Sequence, residues 1–304
     1  MNASPNHYRR AMLKAMAATA IIPSVALSAE VRMTTRAIPS SGEALPVIGL
    51  GTWQTLDIDA PADLADARES LRLFVERGGT VIDSSPMYGR SEAVVGTLAN
   101  ELKLSGKLFL ATKVWTSGRE QGLAQMEESF RRMGTRRMDL MQIHNLVDAA
   151  THAKTLRASK ESRRIRYWGI THYHEGAYSA VEAFLKTHQP DFLQINYSLA
   201  EAESGEHLIP LARDLGVAVI ANRPFAEGAL FNRVRGKQLP SWAAEFEIAS
   251  WAQFFLKWIL GNPAITCVIP ATRNPKYILD NTAAGLGRLP DAATRARMGA
   301  FLNT

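Results

Sequence analysis

Four residues with complementary chemistry lie at the ends of three apolar runs in the sequence. Asp83 ends one run and Tyr88 follows it by five residues, while Lys113 and His144 directly follow the next two runs. A nearby ammonium group lowers the pKa of a tyrosine, which is about 10 in water, and a buried lysine needs a carboxylate partner to stay charged. The histidine can orient a substrate carbonyl. The set predicts general-acid chemistry for adding a hydride to an aldehyde or ketone.

Taken singly, each of these residues has a simpler interpretation. A lysine at the end of a strand is often solvated, a lone histidine there is often only hydrogen-bonded, and an aspartate can cap a turn. The functional interpretation therefore depends on a fold that brings all four to one rim.

Eight short apolar, β-branched runs supply such a fold. Most contain consecutive apolar residues, which is typical of parallel strands buried on both faces. Between them, apolar residues recur at helical spacings of three and four, for example Leu123, Met126, Phe130 and Met133. The runs begin 25 to 33 residues apart, except for a last gap of 48, and they cover residues 47–51, 80–83, 108–112, 138–143, 167–170, 192–195, 218–221 and 266–269.

This alternation predicts an α/β protein, a single (β/α)8 TIM barrel in which the strand ends share one mouth. The alternative is an open doubly wound sheet, but Gly49 and Gly51 are followed by Thr52-Trp53-Gln54, so the third glycine of the dinucleotide fingerprint is missing. A Pro-Ser-Ser-Gly turn within residues 31–46 predicts an N-terminal hairpin that closes the barrel bottom.

The first 28 residues have the organisation of an export signal. Arg9, Arg10 and Lys14 precede a mildly apolar run at 15–27, and Ala26-Leu27-Ser28 fits a cleavage site between small residues. The segment YRRAMLK at 8–14 resembles the bacterial twin-arginine signal. A frayed basic helix is the alternative. We expect a signal peptide at 1–28, the barrel at 29–304, the twin-arginine machinery as a partner, a periplasmic or exported location and no stable membrane span.

Charge and cysteine content exclude several other classes. The chain has 304 residues, 46% of them hydrophobic, and a formal charge of +6. Without residues 1–28, Lys and Arg fall to 35 − 3 = 32 against 29 acids, about +3, so nucleic-acid binding is not expected. The single cysteine, Cys267, rules out an internal disulfide, and His172 and His174 lack a third ligand for a metal.

Several motifs make the chain similar to the aldo-keto reductase family. They are GLGTW at 49–53, VIDSSPMYG at 81–89, SEAVVG at 91–96, ATK at 111–113, DLMQIHN at 139–145, WGI at 168–170, QINY at 194–197 and IPATRNPKYILDN at 269–281. The resemblance implies that Asp83, Tyr88, Lys113 and His144 are the catalytic tetrad and that Tyr88 donates the proton. It also implies a small carbonyl substrate and NADP as cofactor, with NAD as the alternative.

The resemblance further assigns residues to binding the cofactor and the substrate. Trp53 and Trp115 would line the substrate pocket. Two assignments depart from the family pattern: Thr171-His172 replaces Ser-Asn, and Asn222 replaces an aromatic residue that stacks on the nicotinamide. The implied cofactor residues are Gly51, Thr52, Asp83, Thr171, His172, Gln194, Asn222, Pro224, Phe225, Gly228, Leu230, Thr272, Arg273, Lys276, Asp280 and Asn281.

Two other functions stay open at this point. One is a non-catalytic, redox-sensing barrel that binds a nucleotide and acts through a partner. The intact tetrad argues against it, while the departures at Asn222 and His172 keep it open. The other is a barrel hydrolase or isomerase that uses His144 and Asp83. The second would need a metal or paired carboxylates, and the sequence shows neither.

Overall fold

A computed structural model describes residues 32–302 of the chain. It begins with an antiparallel hairpin, and eight parallel strands then form a single sheet. The strands are β1 (Thr35–Ala37), β2 (Ala44–Pro46), β3 (Leu50–Gly51), β4 (Val81–Asp83), β5 (Phe109–Val114), β6 (Met138–His144), β7 (Ile165–Thr171), β8 (Phe192–Asn196), β9 (Ala218–Asn222) and β10 (Cys267–Val268).

Helices alternate with the parallel strands. They are α1 (Pro61–Glu76), α2 (Ser91–Glu101), α3 (Arg119–Arg132), α4 (Ala149–Glu161), α5 (Tyr178–His188), α6 (Leu208–Asp214), α7 (Ala229–Arg233), α8 (Trp251–Leu260), α9 (Pro275–Ala283) and α10 (Ala292–Leu302). Short 3₁₀ turns lie at Glu175–Ala177, Glu203–Gly205, Ala226–Gly228 and Ser241–Phe246. The long gap before β10 therefore contains α7 and α8.

The first and last parallel strands meet and close the barrel. Val268 donates its N–H to the Val47 carbonyl at 2.9 Å and accepts from the Gly49 N–H at 2.8 Å. The closure requires glycine at residue 49, because a Cβ there would lie 2.9 Å from Ile269 Cγ2. The predicted (β/α)8 barrel is confirmed, and the open sheet is excluded.

The strands are buried on both faces, as their consecutive apolar residues predict. Inside the barrel, Phe109, Tyr167 and Phe192 form a contiguous aromatic cluster, with ring centroids 5.6 to 6.1 Å apart. Ile38 and Leu45 of the hairpin are buried in the same cluster. The hairpin therefore closes the bottom of the barrel, as predicted, and leaves the opposite end of the strands for chemistry.

Two further expectations concern the surroundings of the barrel. The predicted signal peptide at 1–28 lies outside the described residues. Within residues 32–302, no helix is long and apolar enough to cross a membrane.

Cys267 is fully buried in β10 as a free thiol, and burial raises its pKa. It is a small residue of the barrel core.

Candidate active site

The carboxyl ends of β4, β5 and β6 bring Asp83, Lys113 and His144 to one edge of the barrel. Strand pairing places Asp83 opposite Ala111, and Lys113 follows Ala111 by two residues on the same face of the neighbouring strand. The Lys113 ammonium donates to Asp83 Oδ2 at 2.6 Å and to the Ser84 carbonyl at 2.7 Å. Both side chains are buried. The predicted ion pair is therefore present, and each charge has a partner of opposite sign or a polar acceptor.

Two glutamines donate hydrogen bonds to the other oxygen of the Asp83 carboxylate. Gln142 Nε2 donates to Asp83 Oδ1 at 3.1 Å, and Gln194 Nε2 donates to the same atom at 2.9 Å. Gln142 is not among the site residues predicted from the sequence. A signal was present, because Gln142 is a polar residue inside an apolar strand and shares a face with His144 two residues later. The carboxylate thus accepts from three side chains.

Tyr88 lies in the loop after β4, over the Asp83–Lys113 pair. Lys113 Nζ is 5.1 Å from the centre of the Tyr88 ring, and the Tyr88 and His144 rings are 6.0 Å apart in an edge arrangement. Burial raises the pKa of Tyr88. The charge of Lys113 and its hydrogen bond lower this pKa, while Asp83 raises it. The net pKa is above the usual value, so the sequence-based expectation of a lowered pKa holds only for the contribution from Lys113.

The neighbouring groups keep Lys113 charged and His144 neutral. Burial lowers the pKa of Lys113, but the attraction of Asp83 and the contact with Tyr88 exceed this effect and raise its pKa overall. Burial, together with the positive charges of Lys113 and of His172 when protonated, lowers the pKa of His144 to about 3. His144 is therefore a neutral imidazole at the barrel mouth, with Ser85 Oγ 3.1 Å from its Nδ1.

The structure brings together four of the predicted cofactor residues. Thr171 Oγ1 donates to Gln194 Oε1 at 3.0 Å, and Asn222 Nδ2 donates to the His172 carbonyl at 3.0 Å. Among the residues described, the buried Asn222 Oδ1 has no hydrogen-bond partner. Burial, together with the neighbouring His174, lowers the pKa of His172 to about 4. This group therefore offers neutral amide and imidazole contacts at the mouth.

The loop after β9 has an unusual backbone. Arg223, Ala226 and Glu227 all have positive φ values, between 47° and 53°. Arg223 forms an ion pair with Glu201 at 2.8 Å, which ties this loop to the one after β8. The remaining predicted residues of this loop contribute mainly to its packing: Pro224 and Leu230 are buried, the Phe225 ring packs 5.0 Å from Phe231, and Gly228 has a φ of 92°.

The cofactor residues predicted after β10 do not form one cluster of contacts in the structure. Arg273 pairs with Asp63 of α1 at 3.1 Å. The Asp280 carboxylate accepts from Ser250 at 2.8 Å and from Gln253 at 2.6 Å at the start of α8. Lys276 is exposed and has no ion pair in the described part of the chain. Thr272 and Asn281 are buried, and Thr272 Oγ1 accepts from the Asn274 N–H.

The remaining predicted residues lie at the rim and just below it. Gly51 and Thr52 are buried, and Thr52 Oγ1 donates to the Asp83 carbonyl at 3.1 Å. Trp53 and Trp115 are 40% and 42% exposed, so their rings remain available to a ligand. The Trp115 ring centre is 6.2 Å from that of His144. Tyr173 also presents an exposed ring in the loop after β7.

Comparison with known proteins agrees with this geometry. The model of the aldo/keto reductase family matches residues 47–296. Methylglyoxal reductase YeaE of Escherichia coli is 27% identical over 260 residues, which cover 83% of this chain and 89% of that protein. Aldo-keto reductase YhdN of Bacillus subtilis is 26% identical over 213 residues, 65% of this chain and 63% of that protein.

Solved structures show the same fold. Aldo-keto reductase AKR11C1 from Bacillus halodurans superimposes with a TM-score of 0.72 at 20% identity, covering 89% of this chain and 96% of that one. An aldo/keto reductase from Klebsiella pneumoniae, solved with NADP and acetate, has a TM-score of 0.72 at 22% identity, covering 90% and 96%. The chain belongs to the aldo/keto reductase family and is an oxidoreductase.

Proposed function

We propose that this protein is an NADP(H)-dependent reductase of aldehydes or ketones in which Tyr88 donates the proton. The observation that carries the proposal is the buried Lys113–Asp83 pair beneath the Tyr88 ring. A permanent positive charge at that position favours the phenolate over the phenol, and it therefore eases proton loss from Tyr88.

The residues at the mouth fit a nicotinamide cofactor. The unpartnered Asn222 Oδ1 and one uncommitted N–H of Gln194 are suited to a carboxamide, which both donates and accepts hydrogen bonds. The exposed Lys276 is suited to a phosphate. Gly51, Thr52, Thr171 and His172 would complete the nicotinamide end, and the loop from Pro224 to Leu230 would lie under the pyrophosphate. The solved relative from Klebsiella pneumoniae contains NADP.

When bound, NADPH supplies the hydride that is added to the carbonyl carbon. The neutral His144 donates a hydrogen bond to the carbonyl oxygen and orients it, and Tyr88 transfers its proton to that oxygen as negative charge develops. Trp53 and Trp115 provide apolar surface for the rest of the substrate. Lys113 then stabilises the phenolate, and Asp83, which accepts from Lys113 and two glutamines, holds Lys113 in place.

The raised pKa of Tyr88 is consistent with its role as an acid. A group whose pKa lies above the working pH stays protonated in the resting enzyme, and it loses its proton only when a developing alkoxide accepts it. The charge of Lys113 limits how far burial can raise the pKa of Tyr88. The geometry therefore supports reduction at neutral pH.

Replacing the phenol hydroxyl tests this role. Tyr88→Phe removes the proton donor, and we expect kcat for carbonyl reduction to fall by about 10²- to 10⁴-fold while NADPH still binds. The measurement is NADPH absorbance with a panel of aldehydes, ketones and 2-oxoaldehydes, together with cofactor fluorescence for binding. Tyr167→Phe is the matched control, because its hydroxyl bonds Ser41 and Glu43 at the barrel bottom.

Three outcomes separate the candidate functions. Turnover that survives Tyr88→Phe contradicts the mechanism. NADPH binding without turnover of any carbonyl in the wild type favours the redox-sensing barrel, for which the departures at Asn222 and His172 are the supporting observation. A lower Kd for NADH than for NADPH makes NAD the cofactor.

We further propose that residues 1–28 direct the protein through the twin-arginine route to the periplasm or beyond, with its cofactor bound before export. The support is the order of basic head, apolar middle and small residues in the sequence. Fusing residues 1–31 to a reporter tests the route: replacing Arg9 and Arg10 with lysine is expected to abolish export. Export that persists in this variant contradicts the proposal. A periplasmic protein that releases no nucleotide on denaturation contradicts cofactor retention.

A further inference from the structure

Ser85 contacts the imidazole of His144 at Nδ1, while the other ring nitrogen, Nε2, lies on the opposite side of the ring. Ser85 is fully buried, and its Oγ lies 3.1 Å from His144 Nδ1. The same oxygen accepts the Met87 N–H at 3.4 Å. In the described part of the chain, no protein group hydrogen-bonds His144 Nε2. The ring therefore has one engaged nitrogen and one that is free for a ligand.

The hydrogen-bonding capacity of Ser85 decides which nitrogen carries the proton. A serine hydroxyl has one donor, and among residues 32–302 the only acceptor in reach of it is His144 Nδ1. If Nδ1 carried the proton, it would donate to Ser85 Oγ, and the buried Ser85 hydroxyl hydrogen would have no acceptor. If Nδ1 is unprotonated, every buried group in this contact is satisfied.

We propose that Ser85 is a positioning residue that donates to His144 Nδ1 and so fixes the proton of the neutral ring on Nε2. A carbonyl oxygen can only accept, so it needs a donor from His144. With the proton on Nδ1, Nε2 would present a lone pair to the substrate and repel it. Ser85 thereby prepares the ring to bind the carbonyl before the substrate arrives. This inference rests on the proposed carbonyl reduction for its consequence, but not for the tautomer itself.

The tautomer can be measured without turnover. Long-range ¹H–¹⁵N correlation spectra of the full chain labelled with [¹⁵N]histidine distinguish the protonated from the unprotonated nitrogen of each ring. His144→Asn identifies the His144 signals among the seven histidines. We expect a protonated Nε2 and an unprotonated Nδ1 in the wild type at pH 7, and a mixture of tautomers in Ser85→Ala. A proton on Nδ1 in the wild type overturns the proposal.

Kinetics then test the consequence. In Ser85→Ala we expect kcat to fall about tenfold with the Kd of NADPH unchanged. The fall is smaller than the roughly 10²- to 10³-fold typical of deleting a transition-state donor, because an unpartnered ring still carries its proton on Nε2 part of the time. Ser159→Ala is the matched control: Ser159 is also buried, and its hydroxyl donates to the Thr155 carbonyl at 2.9 Å, within α4.

The two measurements separate failure of this proposal from failure of the proposed function. Unchanged tautomers or unchanged kcat in Ser85→Ala overturn the role of Ser85. A wild type that reduces no carbonyl overturns the proposed function, while the spectra still decide whether Ser85 sets the tautomer. A loss of kcat in Ser159→Ala equal to that in Ser85→Ala shows a general effect of a lost buried hydroxyl and also overturns the role.

Discussion

The Asp83 carboxylate accepts hydrogen bonds from three side chains that are far apart in the sequence. Lys113, Gln142 and Gln194 each reach it from a different strand, at 2.6 to 3.1 Å. A buried anion with this many donors keeps its charge without water, and it keeps the Lys113 ammonium charged in turn. The proposed proton transfer from Tyr88 thus depends on this buried network beneath its ring.

The two buried neutral histidines of the mouth predict a loss of stability in mild acid. The pKa values of His144 and His172, about 3 and about 4, both lie below the value of about 6.5 in an unfolded chain. Between these values the unfolded chain binds more protons, so the free energy of unfolding decreases as the pH falls below about 6.5. Each histidine contributes up to about 2 kcal/mol of this loss by pH 5.

Urea unfolding at pH 7.5, 6.5, 5.8 and 5.0 measures this dependence. The double variant His144→Gln, His172→Gln should show a shallower decline over this range, because it lacks the two groups that take up protons on unfolding. Equal declines in the wild type and the double variant would contradict the assignment of these two rings as neutral and buried.

At the scale of elements, α2 and α3 approach each other too closely for any side chain at Gly96. A Cβ on Gly96 would lie 2.1 Å from the carbonyl oxygen of Arg132 at the end of α3. A glycine, whose helix propensity is low, therefore occurs within α2 because only a residue without a side chain fits this contact. The strand that joins the two helices in the chain, β5, carries Lys113.

Gly96→Ala should therefore lower the free energy of unfolding by about 2–4 kcal/mol, since the helices must move apart. Gly299→Ala in α10 is the matched control, because the nearest atom to its Cβ would be Leu199 Cδ2 at 3.8 Å. There the gain in helix propensity should stabilise the protein by up to about 1 kcal/mol. Chemical denaturation of both variants checks the pair, and equal effects would contradict the steric argument.

At the scale of the whole molecule, the hairpin is joined to the far end of the chain. Arg36 of β1 donates to the backbone carbonyls of Leu260, Asn262 and Ile265, just before β10, and its bond to Asn262 is 2.8 Å long. Leu260 lies at the end of α8, where helix carbonyls lack intrahelical partners, whereas the Asn262 carbonyl also accepts the Ile265 N–H at 3.2 Å. One side chain therefore fixes the hairpin, α8 and the closing strand together.

Removing this side chain should weaken the whole barrel. We expect Arg36→Ala to lower the free energy of unfolding by about 2–4 kcal/mol, because three partly buried carbonyls lose a charged donor. Arg68→Ala, which breaks an exposed ion pair with Glu101, should lower it by less than about 1 kcal/mol. Urea unfolding compares the two, and a loss in Arg36→Ala no larger than that in Arg68→Ala would contradict the role of Arg36 in joining these elements.

The sequence by itself determined the barrel and the meeting of Asp83, Lys113 and His144. Runs such as 218–221 are apolar throughout because both faces of a parallel strand are buried, and the carboxyl ends of such strands share one edge. The bounds of the first and last parallel strands were less clear from the sequence. The runs at 47–51 and 266–269 correspond to β3 and β10, which have only two residues each and meet at the seam where the barrel closes.

Only the tertiary structure decided how the polar groups pair. Gln142 reaches Asp83, Ser85 reaches His144, and Arg273 turns to Asp63 because loops and neighbouring strands set these distances. The net pKa of Tyr88 likewise depends on the balance of burial against the Lys113 charge. The residue types limit which hydrogen bonds and ion pairs are possible. The positions of side chains from distant segments decide which of them form.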